Sequence, residues 1–215
     1  MTTPDALTLR EQLMSRPFRR ADLPADPLAQ FAAWFAEAQA ADLPTPHAMS
    51  LATADAAGRV SSRLVLLRLF DADGLVFFTG LETQKTRAIA QNPQVALLFP
   101  WLLLNRQVRV EGTAVALSKA AALRYFLSRP RGSQLGAWLT QSEEALSSRA
   151  LLHARLAALK RRFQAGEVPL PPGWGGFRVI PHRYEFWQGR PDGLHDRFAY
   201  TPQPDKTWHV ARLMP

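Results

Sequence analysis

The chain contains no cysteine, which excludes disulfide bonds, thiolate metal sites and a cysteine nucleophile together. It also lacks a long hydrophobic run. The longest apolar stretch, Val95 to Leu104, is interrupted by Pro100 and falls far short of the roughly 20 residues of a membrane-spanning helix. The N-terminal MTTPDALTLREQL carries an acid at Asp5 and no apolar core, so no secretory leader is expected. A cytoplasmic protein without a membrane partner is the expectation. Histidines are few and scattered (His47, His153, His182, His195 and His209), with no i, i+4 pair, so no metal site is expected. Gly132-Ser133-Gln134-Leu135-Gly136 has its serine one place too early for a nucleophile elbow, and neither GxGxxG nor a Walker A loop is present. An enzyme of this composition would draw its chemistry from an organic cofactor.

Lysine is scarce as well. Of 26 basic residues only Lys85, Lys119, Lys160 and Lys206 are lysines; the rest are arginines, whose planar fork suits phosphates and carboxylates. Against 18 acids they leave a formal charge of +8, spread along the chain rather than massed. The densest clusters, Arg19-Arg20 and Lys160-Arg161-Arg162, are too small to make a nucleic-acid stripe alone, and small phosphorylated ligands fit the surplus at least as well.

With 215 residues, 47% of them hydrophobic, the chain can bury one substantial core. Residues 1–25 are polar and proline-punctuated and read as a mobile arm; 26–215 read as one domain. Asp26-Pro27 predicts a helix start, and Leu28, Phe31, Trp34, Phe35 and Ala38 keep helical spacing to about Ala41. The period then changes to that of strands: Met49–Thr53, Val60–Phe70, Leu75–Thr79, Gln94–Leu104 and Arg106–Leu117, with a short helix at Thr83–Asn92. Ser118 predicts a helix cap, Pro130 its stop, and a second helical block covers about Ser142 to Gln164. Strands at Phe177–Ile180, Tyr184–Gln188, Leu194–Tyr200 and Thr207–Leu213 complete the reading. Many short antiparallel strands with few helices between them predict a mainly β fold, a barrel with appended helices.

Three constellations carry chemistry. Arg63 and Arg68 bracket the strand run RLVLLR at opposite parity, which predicts opposite faces. Thr83-Gln84-Lys85 opens a helix with a lysine beside its N-terminus, an anion site. Tyr125, Arg129 and Ser133 follow at four-residue intervals, with Pro130 expected to break the helix and let Ser133 fold back into a phosphate cradle. His195 and Arg197 are expected on one strand face.

RLVLLR, FFT, LLFPW, RQVRVEG, YFLSRPRGSQLGAW, EVPLPPGWGGFRV and EFWQG followed by LHDRF resemble, in that order, the pyridoxine (pyridoxamine) 5'-phosphate oxidases, over about Arg19 to Pro215. The resemblance implies an FMN-binding split β-barrel, a homodimer with FMN at the interface, and no nucleic-acid partner. It implies oxidation of pyridoxamine or pyridoxine 5'-phosphate to pyridoxal 5'-phosphate, with dioxygen reduced to hydrogen peroxide. Carried over, Arg63 and Lys85 hold the FMN phosphate. Leu64, Val65, Leu66, Leu67, Arg68, Phe78, Thr79, Gln107, Gln141, Ser142, Trp187 and Arg197 also contact the cofactor. Arg10, Arg68, Tyr125, Arg129, Ser133 and His195 meet the substrate, with His195 and Arg197 nearest the reacting centre as orienting groups. Gly193 stands where the family has arginine, Arg68 where it has lysine, Gln84 where it has arginine, and Leu13 where it has tyrosine; the Gln-Ser pair is displaced by one, to 141–142. Alternatives on the same scaffold are an oxidase of another substrate, such as a dihydroaromatic of phenazine type, and a non-catalytic FMN or pyridoxal phosphate carrier.

Overall fold

A computed structural model of the chain describes residues 6–141 and 143–215. The first long helix, α2 (Pro27–Ala40), follows α1 (Ala6–Ser15), which lies within the expected arm. α2 starts where the Asp26 carboxylate accepts the Leu28 amide at 2.9 Å and Pro27 takes the first helical position. Its stripe of Phe31, Trp34 and Ala38 is buried against the sheet.

The strands are β1 (Ala48–Ala54), β2 (Val60–Leu66), β3 (Leu69–Asp71), β4 (Gly74–Gly80), β5 (Gln94–Trp101), β6 (Arg106–Ala116), β7 (Trp174–Gln188), β8 (Asp196–Pro202) and β9 (Trp208–Arg212). All observed pairings are antiparallel, in the order β2-β1-β5-β6-β7-β4-β3, with β8 and β9 continuing from β7. Along β1 and β6 buried residues alternate with more exposed ones, as a sheet with one covered face requires.

The two ends of that path, β2 and β3, are consecutive in the chain. Leu67 and Arg68 carry the backbone from one edge to the other. The Leu67 amide donates to His47 O at 2.8 Å, beside β1, and the Arg68 amide to Val76 O at 2.9 Å, on β4. The sheet therefore curls into a barrel with its split at this crossing. Phe31, Phe77, Phe99, Phe186, Phe198 and Tyr200 fill the inside and are fully buried.

Several expected boundaries differ. Val60–Phe70 is not one strand but two, because the crossing at 67–68 needs each amide to face a different edge. The two strands expected between Phe177 and Gln188 are one, β7; the ladder to β6 shifts register between Glu111 and Gly112, leaving His182 as the extra residue beside Pro181, which has no N–H to contribute. Thr83 caps α3 (Gln84–Gln91), and Ser118 caps α4 (Lys119–Leu127), accepting the Ala121 amide at 3.2 Å. Pro130 ends α4 as expected but also opens an unexpected helix, α5 (Arg131–Leu139). Ser133 therefore lies in the first turn of α5 instead of folding back. The second helical block starts later than expected, at α6 (Arg149–Arg162), where Ser148 accepts the Leu151 amide at 3.2 Å. His195 precedes β8 rather than sharing its face with Arg197.

Candidate functional site

A cavity of about 590 Å³ opens at the split of the barrel. One wall is the β2 stretch Leu64, Val65 and Leu66 with Arg68 of the crossing; the other is Phe78 and Thr79 of β4 with the start of α3 and the α4 residues that follow it in space. Phe78 meets Tyr125 at 3.9 Å and Trp174 at 5.2 Å, in directions about at right angles, and the three rings lie nearly parallel. The Arg129 guanidinium lies 4.9 Å over Trp174, and its Nη1 is buried without a partner among the described residues.

The cations divide between two ends. At one, burial pushes the Arg129 guanidinium down from its ordinary value, Tyr125 opposes the push, and Arg68 adds to it. Arg68 also adds to the lowering of His47, whose principal cause is burial. At the other end, burial lowers Lys85 and Arg63; Arg63 lowers Lys85 further, while the Glu143 carboxylate holds both up. Lys85 Nζ donates to Thr83 Oγ1 at 3.1 Å beside the α3 N-terminus. Arg63 is fixed by Leu51 O and Thr53 Oγ1, both at 2.9 Å, and by Ser61 Oγ at 2.5 Å. Guanidinium and ammonium groups desolvated and crowded in this way favour an incoming anion. The parity expectation for Arg63 and Arg68 fails, since the strand breaks between them; Arg68 lines the cavity near Arg129, and Arg63 acts on Lys85 at the other end.

A second group stands outside this cavity. Gln107, Trp187 and Arg197 are register partners across β6, β7 and β8, so they form one row on the outer face of the sheet. His195 packs against Trp187 at 4.7 Å, and its Nδ1 accepts the Arg190 amide at 3.0 Å, which leaves the proton of the neutral ring on Nε2. Glu185 was missed in the sequence. It is 4% exposed and receives Arg197 Nε at 3.0 Å, Arg197 Nη2 at 3.2 Å and Arg109 Nη2 at 2.8 Å.

The cavity thus brings together Leu64, Val65, Leu66, Arg68, Phe78, Thr79, Lys85, Tyr125 and Arg129, with Arg63 behind Lys85. It does not include Leu67, which is buried, or Arg10 on α1, or Ser133. Gln141 is turned to structure: its Oε1 accepts the Gly173 amide at 2.9 Å and its Nε2 donates to Trp138 O at 3.0 Å. Ser142 lies outside the described residues. Trp174 and Glu143 line the cavity without having been singled out, and Thr83 lines it beside Lys85. Gly193 closes the turn after Arg190 with φ of 76°, a left-handed conformation that an arginine would enter only with strain. Arg190 itself reaches Met14 O at 2.7 Å and holds α1, so it does not stand in for a cation at 193. A larger open cavity of about 940 Å³ adjoins Asp26, Asp71, Tyr184 and Trp208, but its Arg178 is already paired with Asp71.

A family model described as "Pyridoxamine 5'-phosphate oxidase" matches residues 35–162, and one described as "Pyridoxine 5'-phosphate oxidase C-terminal dimerisation region" matches 174–215. The pyridoxine/pyridoxamine 5'-phosphate oxidase of Rippkaea orientalis is 51% identical over 211 residues, covering 98% of this chain and 100% of that protein. That of Crocosphaera subtropica is 53% identical over 213 residues, with the same coverage of 98% and 100%. Among solved structures, PhzG from Burkholderia lata in complex with tetrahydrophenazine-1-carboxylic acid is similar with a TM-score of 0.87 and 28% identity, over 94% of this chain and 99% of that one. A pyridoxamine 5'-phosphate oxidase-related, FMN binding protein from Nostoc punctiforme shares the fold, with a TM-score of 0.70 at 16% identity, over 90% of this chain and 100% of that one.

Proposed function

This chain belongs to the pyridoxamine 5'-phosphate oxidase family, and from that premise we infer that it is an FMN-dependent oxidase that converts pyridoxamine or pyridoxine 5'-phosphate to pyridoxal 5'-phosphate. The observation that carries this reading is the pair of cationic ends in one cavity, one for each of two phosphates. Arg63, Lys85 and the α3 N-terminus suit the FMN phosphate. Arg68, Arg129 and Tyr125 suit the substrate phosphate, and the unpartnered Arg129 Nη1 supplies a buried donor for it. FMN, when bound, supplies the hydride acceptor and passes the electrons to dioxygen, giving hydrogen peroxide.

The chain's own residues position and shield. The stacked Tyr125, Phe78 and Trp174 rings make a flat apolar wall that excludes water beside a planar ligand. His195, with Nδ1 occupied, offers Nε2–H as a donor, which suits it to orient the substrate rather than abstract a proton. Arg197, Trp187 and His195 all fall within the segment matched as the dimerisation region, away from the cavity of their own chain. We place them in the site of a second copy, so that each of two sites in a homodimer is assembled from both subunits.

The phenazine-type alternative keeps the scaffold but would bring a carboxylate rather than a phosphate to the Arg68–Arg129 end. The test is anaerobic: the FMN-loaded protein is mixed with pyridoxamine 5'-phosphate and the oxidised-flavin absorbance followed. Bleaching, with recovery and peroxide on admitting air, is expected. Bound FMN that stays oxidised would exclude the oxidase and leave the carrier or another substrate.

A further inference from the structure

Among the described residues Glu143 is the one acid lining the cavity, and it sits on the cation cluster assigned above to a phosphate. Its Oε2 accepts the Gln84 amide, the first N–H of α3, at 2.5 Å, and lies 3.6 Å from Arg87 Nη2. Its Oε1 is 4.0 Å from Lys85 Nζ, and its charge reaches Arg63 as well. A carboxylate on a helix N-terminus among three cations is a satisfied anion site whose anion belongs to the protein.

The backbone brings it there. The loop after α5 crosses directly over Gly80, where a Cβ would lie 2.1 Å from Thr140 O; only glycine permits the approach. Gln141 then fastens the loop on both sides, its carbonyl accepting the Glu82 amide at 3.0 Å and its side chain accepting the Gly173 amide at 2.9 Å. Glu143 is two residues beyond this clamp. Its side chain is 47% exposed, so it can swing out without disturbing the core.

We propose that Glu143 is a resident counter-anion that the FMN phosphate must displace, and that it thereby tempers affinity for FMN while leaving affinity for flavins without a phosphate unchanged. A phosphate carrying between one and two negative charges outcompetes a single carboxylate for Arg63, Lys85 and Gln84 N–H. A neutral ribityl hydroxyl does not, and the carboxylate stays in place. This inference rests on the FMN reading above.

The experiment compares full-length wild type and Glu143→Gln, both freed of flavin, in titrations with FMN and with riboflavin followed by flavin fluorescence. Glu143→Gln keeps the shape, removes the charge and lies at the surface, so the fold is not at risk. Expected is FMN binding about tenfold tighter, as for release of one charge-assisted contact, with riboflavin affinity unchanged. The Gln84 amide should also exchange faster in the flavin-free variant than in flavin-free wild type. Unchanged or weaker FMN binding in the variant overturns the proposal while leaving the FMN reading intact. An equal gain for riboflavin overturns it too, by showing that the side chain blocks space rather than competes by charge. FMN binding to neither protein removes the functional reading and this inference together.

Discussion

Glu185 grips Arg197 with both carboxylate oxygens, Nε at 3.0 Å and Nη2 at 3.2 Å, from a position 4% exposed on the neighbouring strand. Arg109 and Arg183 approach the same carboxylate at 2.8 and 3.7 Å. Its register partner on β8 is Ala199, two residues along from Arg197 and on the same face, which leaves room for the guanidinium to lie back along the sheet. Glu185→Gln should leave three arginines facing one another around a neutral amide. The expected loss is about 2 kcal/mol of stability, the cost of breaking a buried pair discounted because the arginines are part-exposed. If Arg197 meets the substrate, kcat falls by at least tenfold while FMN affinity measured on the subunit's own Arg63–Lys85 end changes little. Chemical denaturation and steady-state kinetics check the two halves separately.

Arg129 gives a sharper discrimination. Its Nη1 is buried and unpartnered, and its plane rests on Trp174. Arg129→Ala should lower kcat/KM for pyridoxamine 5'-phosphate by roughly 10²-fold, the worth of one or two charged hydrogen bonds, with FMN binding within about twofold of wild type. Unphosphorylated pyridoxamine should be turned over equally poorly by both proteins. Arg129→Lys should recover little, because an ammonium neither stacks on the indole nor forks toward a phosphate. A variant that loses activity on both substrates alike would place Arg129 in the scaffold.

Where the structure is set by local chemistry, it could be read from residues alone. Asp26-Pro27 and the Phe31, Trp34, Ala38 spacing specify α2 within one turn of sequence, and the alternation in Arg106–Leu117 specifies β6. The seam at Leu67-Arg68 could not be read, because RLVLLRLF is continuously apolar between its arginines and only barrel closure decides where the strand breaks. Pro130 is read as a stop, although the same ring that ends α4 is compatible with the start of α5. Arg63, Lys85, Arg68 and Arg129 are candidates from helix-start and strand-end signals; the cavity brings the last three together, and the charge of Arg63 acts on Lys85. Glu143 and Glu185 gave no signal. One is an acid in a polar loop, and the other takes its burial from arginines on β6 and β8 that no spacing along β7 foretells.

Lys85 makes cofactor binding depend on pH in a defined direction. Burial, with Arg63 adding and Glu143 opposing, lowers its pKa from the ordinary lysine value, so the folded, flavin-free protein releases this proton at a lower pH than a free lysine does. In that state the unfolded chain binds the proton more readily, and this group's contribution to stability rises with pH across the window between the lowered and the ordinary value. FMN affinity moves the opposite way, since the phosphate needs the ammonium. It should fall, by about tenfold or more, as pH rises through the lowered value. Lys85→Arg should abolish that alkaline limb, because a guanidinium stays protonated there. Fluorescence titrations between pH 7 and about 10 follow the limb in both proteins, and a limb that persists in Lys85→Arg would assign it to another group.

The division of the site between two copies predicts complementation. Arg129 belongs to the cavity at the barrel split, and Arg197 to the outer row of β6, β7 and β8 within the matched dimerisation region. Homodimers of Arg129→Ala or of Arg197→Ala carry the same defect in both sites and should each be nearly inactive. In a mixed dimer both lesions fall in one site and the other is wholly wild type. Random assortment makes about half the dimers mixed, so co-expressed subunits should show about a quarter of wild-type activity. Differential tags would isolate the mixed dimer, whose activity should be about half that of wild type, with one reducible flavin in two under anaerobic substrate. Mixed dimers no more active than either parent would mean that Arg129 and Arg197 serve one site from the same chain.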